Sequence, residues 1–250
     1  MPLTTSVNKH LLPVFDKPMI YYPLTTLILA GVKQVCIVVN PEDVSGYRTL
    51  LGTGRRFGLE IELVEQDAPL GIAHAIKQVP VRFRGQNFWV ILGDNFFFGR
   101  GLGRELDNSS RMSGCTAFGY SVGDPSAYGV ATFKKDGSIL RIVEKPSVPW
   151  PSNFAVPGLY RFDPTVFSLI ESLELSERGE LEVTDLLNVY AKQKTLDFQI
   201  LPRGTVWMDL GSHEMLLEAS NLVRMLQSRS GMKIGDPVEA AIHMGTNKIG

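Results

Sequence analysis

The chain has 250 residues, of which 44% are hydrophobic and 20% charged, with a formal net charge of -1. That length can bury a sizeable core as one large domain or two small ones, and scattered Lys and Arg give no basic field for a nucleic acid polymer. No apolar run approaches membrane-spanning length and the N-terminus lacks the pattern of a secretory signal, so a cytoplasmic protein with no membrane partner is expected.

Positions 1–16 carry few helix or strand signals, and the stretch 8–19 reads as a loop with prolines at 13 and 18. Pro18 is placed to open a helix whose apolar positions are Met19, Ile20, Tyr22, Leu24, Leu27 and Leu29, with Gly31 as its stop. Residues 35–40 read as a buried strand and 44–51 as a short helix. Gly52, Gly54 and Gly58 then form a turn without the Lys-Ser or Lys-Thr ending of a P-loop. An alternating strand at 59–64 and a helix at 72–79 lead to the apolar run Phe-Trp-Val-Ile-Leu (88–92), which stops at Gly93-Asp94-Asn95. Such a run is how a strand buried on both faces of a sheet reads, and it sets a carboxylate just past the strand's carboxyl end. Alternating strands and helices predict a mostly parallel sheet with right-handed crossovers.

The second half is richer in strands. Residues 115–122 read as a strand, and 128–133 with 138–143 as a hairpin turned at Asp136-Gly137. A strand at 153–162 follows. Asp163-Pro164 caps a helix to about 173, and Gly179-Glu180 introduces another with Leu181, Val183, Leu186, Leu187 and Tyr190 apolar. Strands at 196–201 and 205–208 precede an amphipathic helix over 213–229. With no repeat and no linker, the pattern predicts one α/β domain, 1–250, with a β-rich elaboration.

Asp94 and Asp209 both follow apolar strands beside glycines, so they can face one another at the sheet's carboxyl edge as a divalent-metal pair; two independent turn aspartates would read the same way. Lys9 and Lys145 sit beside prolines in short loops, as phosphate partners or as solvated surface lysines. The four histidines share no metal-ligand spacing, the two cysteines read as core thiols, and no Ser, Cys or Thr nucleophile motif stands out.

Six segments in order then match a known pattern: 9–24 from Lys-His-Leu-Leu-Pro to Tyr-Pro-Leu, Leu-Gly-Asp-Asn (92–95), Tyr-Gly-Val (128–130), Glu-Lys-Pro (144–146), Gly-Glu-Leu-Glu-Val-Thr-Asp (179–185) and Trp-Met-Asp-Leu-Gly-Ser-His (207–213). Over nearly its whole length the chain resembles the sugar nucleotidyltransferase family. The resemblance implies a Rossmann-like α/β nucleotidyltransferase fold, with residues 1–114 mainly nucleotide-binding and 115–250 mainly sugar-phosphate-binding. It implies Mg²⁺ dependence, dTTP and glucose 1-phosphate as substrates, dTDP-glucose as product, and a homotetramer. It makes Lys9 the lysine on the nucleotide phosphates, with His10, Gln66 and Gly71 near the nucleotide. Asp94 and Asp209 become the metal pair. Tyr128, Gly129 and Glu144 become sugar-hydroxyl partners, Lys145 the group on the sugar phosphate, and Val156 and Tyr160 lining residues.

Family members open with a strand and a Gly-Gly-x-Gly-Thr-Arg phosphate loop ahead of a segment like Pro2-Leu3-Thr4, and continue beyond a segment like 238–245. The expectation is therefore a chain truncated at both ends, with a slot of roughly 10 Å between the missing strand's neighbours if that strand is central. His10 stands where the family usually has glutamine, and Leu210 where it tends to have threonine. Two alternatives accompany this reading: a non-catalytic relative that binds sugar phosphate or a complete homologue, and a sister enzyme using UTP or another sugar phosphate.

Overall fold

A computed structural model describes residues 7–68, 70–103, 106 and 113–245; Pro2-Leu3-Thr4 and Pro69 lie outside the described residues. Contacts divide the chain into two compact units. One takes the chain up to residue 65, a middle segment starting at 91, and the chain from 203 onward; the other takes 66–90 and the stretch up to 202.

In the first unit the opening segment folds into more than the expected loop. Asn8 caps a single 3-10 turn, Lys9–Leu11, its side-chain oxygen accepting the His10 N–H at 3.0 Å. β1 (Pro13–Val14) then pairs antiparallel with β2 (Lys17–Pro18). Because Pro18 is engaged in that ribbon, α1 begins later than the sequence predicts, at Tyr21, and runs to Leu29. Pro23 occupies its first turn, where a missing N–H leaves no bond unmade, and Gly31 at φ 79° ends it. β3 (Gln34–Val39) and β4 (Glu60–Glu65) pair in parallel, connected through α2 (Val44–Leu51), the crossover that strand-helix alternation implies.

The segment after β5 (Phe88–Ile91) holds a strand to which sequence reading assigns no element. β6 (Asn95–Phe98) pairs antiparallel with β13 (Val206–Asp209), Asn95 opposite Asp209 and Phe97 opposite Trp207. Alternation along the two strands places Phe96, Phe98, Val206 and Met208 in one core with Val14, Met19 and Tyr22. It turns Asn95, Phe97, Trp207 and Asp209 to the opposite face. α6 (His213–Ser230), capped by the Ser212 side chain on the Met215 N–H, lays Ala219 and Val223 into the same core. A further helix, α7 (Pro237–His243), starts from an Asp236 cap with proline in its first turn and packs on α1. No helix among the described residues is long and apolar enough to cross a membrane.

The second unit is a mixed sheet with helices against it. Its strands run in the order β5, β11 (Leu159–Phe162), β7 (Cys115–Ser121), β10 (Phe154–Ala155), β8 (Gly129–Phe133) and β9 (Ile139–Glu144). β12 (Leu196–Ile200) adds to β7 in parallel, and β8 with β9 forms the predicted hairpin. The single strand expected at 153–162 is two strands. Phe154 lies opposite Ser121 but Tyr160 opposite Ala117, so six steps along one strand cover four along β7. Pro157 occupies the bulge; lacking an N–H, it cannot continue the ladder.

α3 (Ile72–Lys77), α4 (Val166–Glu171) and α5 (Val183–Lys192) bury Ala73, Ile76, Val166, Ile170, Leu186, Leu187 and Tyr190 against Ala117, Ile142 and Phe162. Asp163, 6% exposed, ties this core's corner together. Its carboxylate accepts the Gly114 N–H at 2.6 Å, the Thr165 N–H at 3.1 Å and the Tyr190 hydroxyl at 3.2 Å.

Phe162 is fully buried, with ring centroids of Tyr160 and Tyr190 each at 5.9 Å and Phe88 at 6.1 Å. Phe162→Ala is expected to destabilise the fold by about 3–5 kcal/mol through lost burial and a residual cavity. Urea unfolding reads this directly, and a loss below about 1 kcal/mol would contradict the placement.

Candidate functional site

The expected metal pair and one of the two expected phosphate lysines, Lys9, lie in the first unit; the other, Lys145, lies in the second. Asp94 stands between β5 and β6, and Lys9 Nζ reaches its Oδ2 at 2.5 Å; the two side chains are 36% (Lys9) and 17% (Asp94) exposed. Asn95 Nδ2 donates to Asp94 Oδ1 at 3.1 Å, and Trp207 Nε1 donates to Asn95 Oδ1 at 2.7 Å, so a cross-strand relay orients the carboxylate. Asp209 closes β13 opposite Asn95, and the next residue, Leu210, donates its N–H to the Asp94 carbonyl at 2.8 Å. Asp209 Oδ1 in turn accepts the Gly211 N–H at 3.0 Å. Two carboxylates far apart in sequence thus sit on hydrogen-bonded backbones at one end of one ribbon.

Burial alone would push the Asp94 carboxyl up, but the charge and hydrogen bond of Lys9, together with His10 and Asn95, outweigh it and hold Asp94 below the usual carboxylate range. His10 behaves oppositely. Burial pulls its imidazole down to about 4, which leaves it neutral at physiological pH. Its ring packs on Gly93, where a Cβ would stand 2.9 Å from ring atoms, and Nδ1 lies 2.9 Å from the Tyr47 hydroxyl. Neither Tyr47 nor Asn8 is singled out by sequence pattern, because both act through bonds that only the fold brings about.

Two carboxylates, one of them paired with lysine, could supply hard oxygens to a divalent cation that keeps positions for water and phosphate oxygens. Among the described residues no group of three or more His, Cys, Asp and Glu side chains offers an all-protein cage.

The expected sugar-contacting residues lie in the second unit. Gly129 pairs with Glu144 across the hairpin, and Glu144 Oε2 accepts the Thr184 hydroxyl at 2.6 Å. A Cβ at position 129 would stand 3.3 Å from that carboxylate and 3.4 Å from Thr184 Oγ1, so glycine keeps the space above them open. Lys145 adopts a left-handed backbone, φ 42°, held by its N–H on the Tyr128 carbonyl at 3.0 Å. For a non-glycine residue before proline, that conformation costs about 1–3 kcal/mol and is concentrated at functional positions. Its ammonium is 3.9 Å from Glu144 Oε1 with half the side chain exposed. Val156 donates its N–H to the Gly129 carbonyl at 2.8 Å, and Val156 and Tyr160 are both buried in the adjoining core. Burial, with Glu144's charge behind it, raises the Tyr160 hydroxyl well above its ordinary range. Thr184 is the residue that sequence reading passes over, although it sits in the quoted segment 179–185.

Gln66 and Gly71 also belong to the second unit. The Gln66 amide lies 2.7 Å from His74 Nδ1, and Gln78 reaches the other ring nitrogen at 3.2 Å. Gly71, at φ 95°, is approached closely by the Leu181 backbone, whose carbonyl accepts the Ala73 N–H at 3.2 Å.

Set beside known proteins, residues 1–225 match the family described as nucleotidyl transferase. A glucose-1-phosphate thymidylyltransferase of Mycobacterium tuberculosis is 43% identical over 244 residues, covering 98% of this chain and 84% of the relative. Its counterpart in Neisseria gonorrhoeae is 40% identical over 246 residues, covering 98% of this chain and 85% of the relative. Among solved structures, one described as a glucose-1-phosphate thymidylyltransferase from Bacillus anthracis in complex with sucrose superposes with a TM-score of 0.83 at 34% identity, covering 95% of this chain and 93% of that one.

A carboxyl held below its unfolded value contributes stability that is complete above that value and is lost as pH falls through the folded one. Lys9→Met removes the cation and leaves the burial, so Asp94 is expected to titrate at higher pH and acid unfolding to begin earlier. Circular dichroism against pH checks this; an unchanged acid midpoint would mean that Lys9 does not govern Asp94.

Proposed function

The chain belongs to the nucleotidyl transferase family, and on that premise we propose that it joins dTTP to glucose 1-phosphate, forming dTDP-glucose and releasing pyrophosphate. The observation that carries this reading is the convergence of Lys9, Asp94 and Asp209 at one end of the β6–β13 ribbon. A phosphate oxygen of glucose 1-phosphate bonds to the α-phosphorus of dTTP while the bond to the β-phosphate oxygen breaks, and pyrophosphate leaves with that electron pair. No covalent protein intermediate is needed, so the protein's contribution is positioning and charge neutralisation.

On this reading Asp94 and Asp209 would hold Mg²⁺, which when bound neutralises phosphate charge. Lys9, already oriented by Asp94, presents its ammonium to the triphosphate. His10, Gln66 and Gly71 serve the nucleotide. Glu144, fixed by Thr184, accepts a sugar hydroxyl in the space that Gly129 leaves open, with Tyr128, Val156 and Tyr160 around it. Lys145 takes the sugar phosphate; its backbone conformation fixes where the side chain leaves the hairpin. Residues 1–114 are then mainly the nucleotide half and 115–250 mainly the sugar-phosphate half. A homotetramer in the cytoplasm belongs to the same reading through the family resemblance.

Pyrophosphate release from dTTP and glucose 1-phosphate with Mg²⁺ tests the reading, with UTP in place of dTTP as the specificity control. Asp209→Asn is expected to lower kcat by about 100-fold or more, as loss of a charge-stabilising group does. Lys145→Ala is expected to raise KM for glucose 1-phosphate by about 10-fold or more with little change in KM for dTTP. Absence of release by well-folded protein would overturn the proposal.

A further inference from the structure

The Lys9–Leu11 turn is braced by a set of hydrogen bonds that leads away from the phosphate-facing lysine. Asn8 Nδ2 donates to Asp43 Oδ2 at 2.6 Å, which fixes the amide with its oxygen toward the turn. The same Asp43 oxygen also accepts from Asn40 Nδ2 at 3.3 Å. Asn8 Oδ1 accepts both the His10 N–H at 3.0 Å and the Tyr47 hydroxyl at 3.2 Å. Tyr47 has one proton, and its contact with Asn8 Oδ1, an oxygen that carries none, is a hydrogen bond only when Tyr47 gives the proton there. Both Tyr47 contacts are made at once only if its oxygen is the acceptor at the 2.9 Å contact with His10 Nδ1, an arrangement that calls for the imidazole proton on Nδ1. In that arrangement a neutral ring keeps its lone pair on Nε2.

Each member of the set is held. Tyr47 is 1% exposed, and burial raises its hydroxyl, so it remains protonated and a donor across the working pH range. Gly93 lies against the imidazole, leaving no room for a side chain there. Burial also keeps the ring neutral, as the fall of His10 to about 4 shows.

We propose that the Asp43–Asn8–Tyr47 relay locks His10 as its Nδ1–H form, making Nε2 an obligate hydrogen-bond acceptor next to Lys9 that reads a donor group of the nucleotide and not its phosphates. This rests on the reading of Lys9 and His10 as nucleotide-binding residues. Phosphate oxygens are acceptors, so a lone pair presented to them gains nothing, and Lys9 answers for them. Outside its phosphates dTTP carries only two donors, the deoxyribose 3′-hydroxyl and the base N3–H. Asp43, Asn8 and Tyr47 act through His10 and are positioning residues.

Long-range proton–nitrogen NMR of the uniformly labelled full chain reads the tautomer, the four histidines being assigned with single His→Gln variants. His10 Nε2 is expected to show the shift of an unprotonated nitrogen, and Tyr47→Phe, which deletes the acceptor, is expected to move the proton toward Nε2. A protonated Nε2 in the unaltered protein would overturn the proposal, whether or not Tyr47→Phe folds. This measurement needs no turnover, so it stands apart from failure of the thymidylyltransferase reading, which the pyrophosphate assay detects.

The second arm compares kcat/KM for dTTP with that for its 3′-deoxy and N3-methyl analogues. One of them is expected to lose about 10-fold or more, the worth of one well-made hydrogen bond, and His10→Phe is expected to abolish that discrimination. Tyr47→Phe should raise KM for dTTP while leaving KM for glucose 1-phosphate unchanged, a split that general loosening of the fold would not produce. Equal use of all three nucleotides, or discrimination unchanged in His10→Phe, would overturn the proposal.

Discussion

The antiparallel pairing of Asn95–Phe98 with Val206–Asp209 is the constraint from which the chemistry of the first unit follows. Its register is set by packing. Phe96, Phe98, Val206 and Met208 face a shared apolar core, and a slip by one residue in either strand would drive Asn95 or Asp209 into that core and expose an aromatic or aliphatic side chain in its place. Apolar burial on one face therefore locates two carboxylates at the ribbon's end. The carboxylate of Asp94 then needs a partner, since an unpaired charge at such burial is costly, and Lys9 supplies it from a turn that Asn8 caps.

The second unit solves a similar problem with different parts. Glu144 is mounted at the end of a hairpin strand, opposite Gly129, with the Thr184 hydroxyl fixing one oxygen and leaving the other toward Lys145. Lys145 departs from ordinary backbone at that point, and the Tyr128 carbonyl secures it. Groups carried on strand ends are held more tightly than groups on long loops, which suits a reaction whose catalysis is placement of charged atoms.

Part of this was legible without coordinates. The unbroken apolar run 88–92 ending in Gly-Asp-Asn announced a strand with a carboxylate beyond its end, although the strand lies at the end of the sheet order and is half-buried instead of covered on both faces. The Asp136-Gly137 hairpin and the Gly31 helix stop were legible because glycine at positive φ has a local cause. What escaped was non-local. β6 went unassigned because its partner lies in a distant part of the sequence, and α1 was started too early because Pro18 has a use in the β1–β2 ribbon that no helix rule contains. Pro157 splits an apparently continuous strand only because β7 runs alongside it. Thr184, Asn8 and Tyr47 carry no motif of their own; their importance lies in bonds to Glu144, His10 and Asp43.

The central claim is that Asp94 and Asp209 form half of a divalent-metal site, with the nucleotide's phosphates supplying the rest. Mn²⁺ as a spin probe, titrated by electron paramagnetic resonance into the full chain with and without dTTP, tests it most directly. Weak binding to the protein alone is expected, because Lys9 already pairs with Asp94 and no third carboxylate, His or Cys joins the two among the described residues, with a tight ternary complex once dTTP is present and its loss in Asp209→Asn. Tight binding without nucleotide, or a ternary complex indifferent to Asp209→Asn, would contradict the claim.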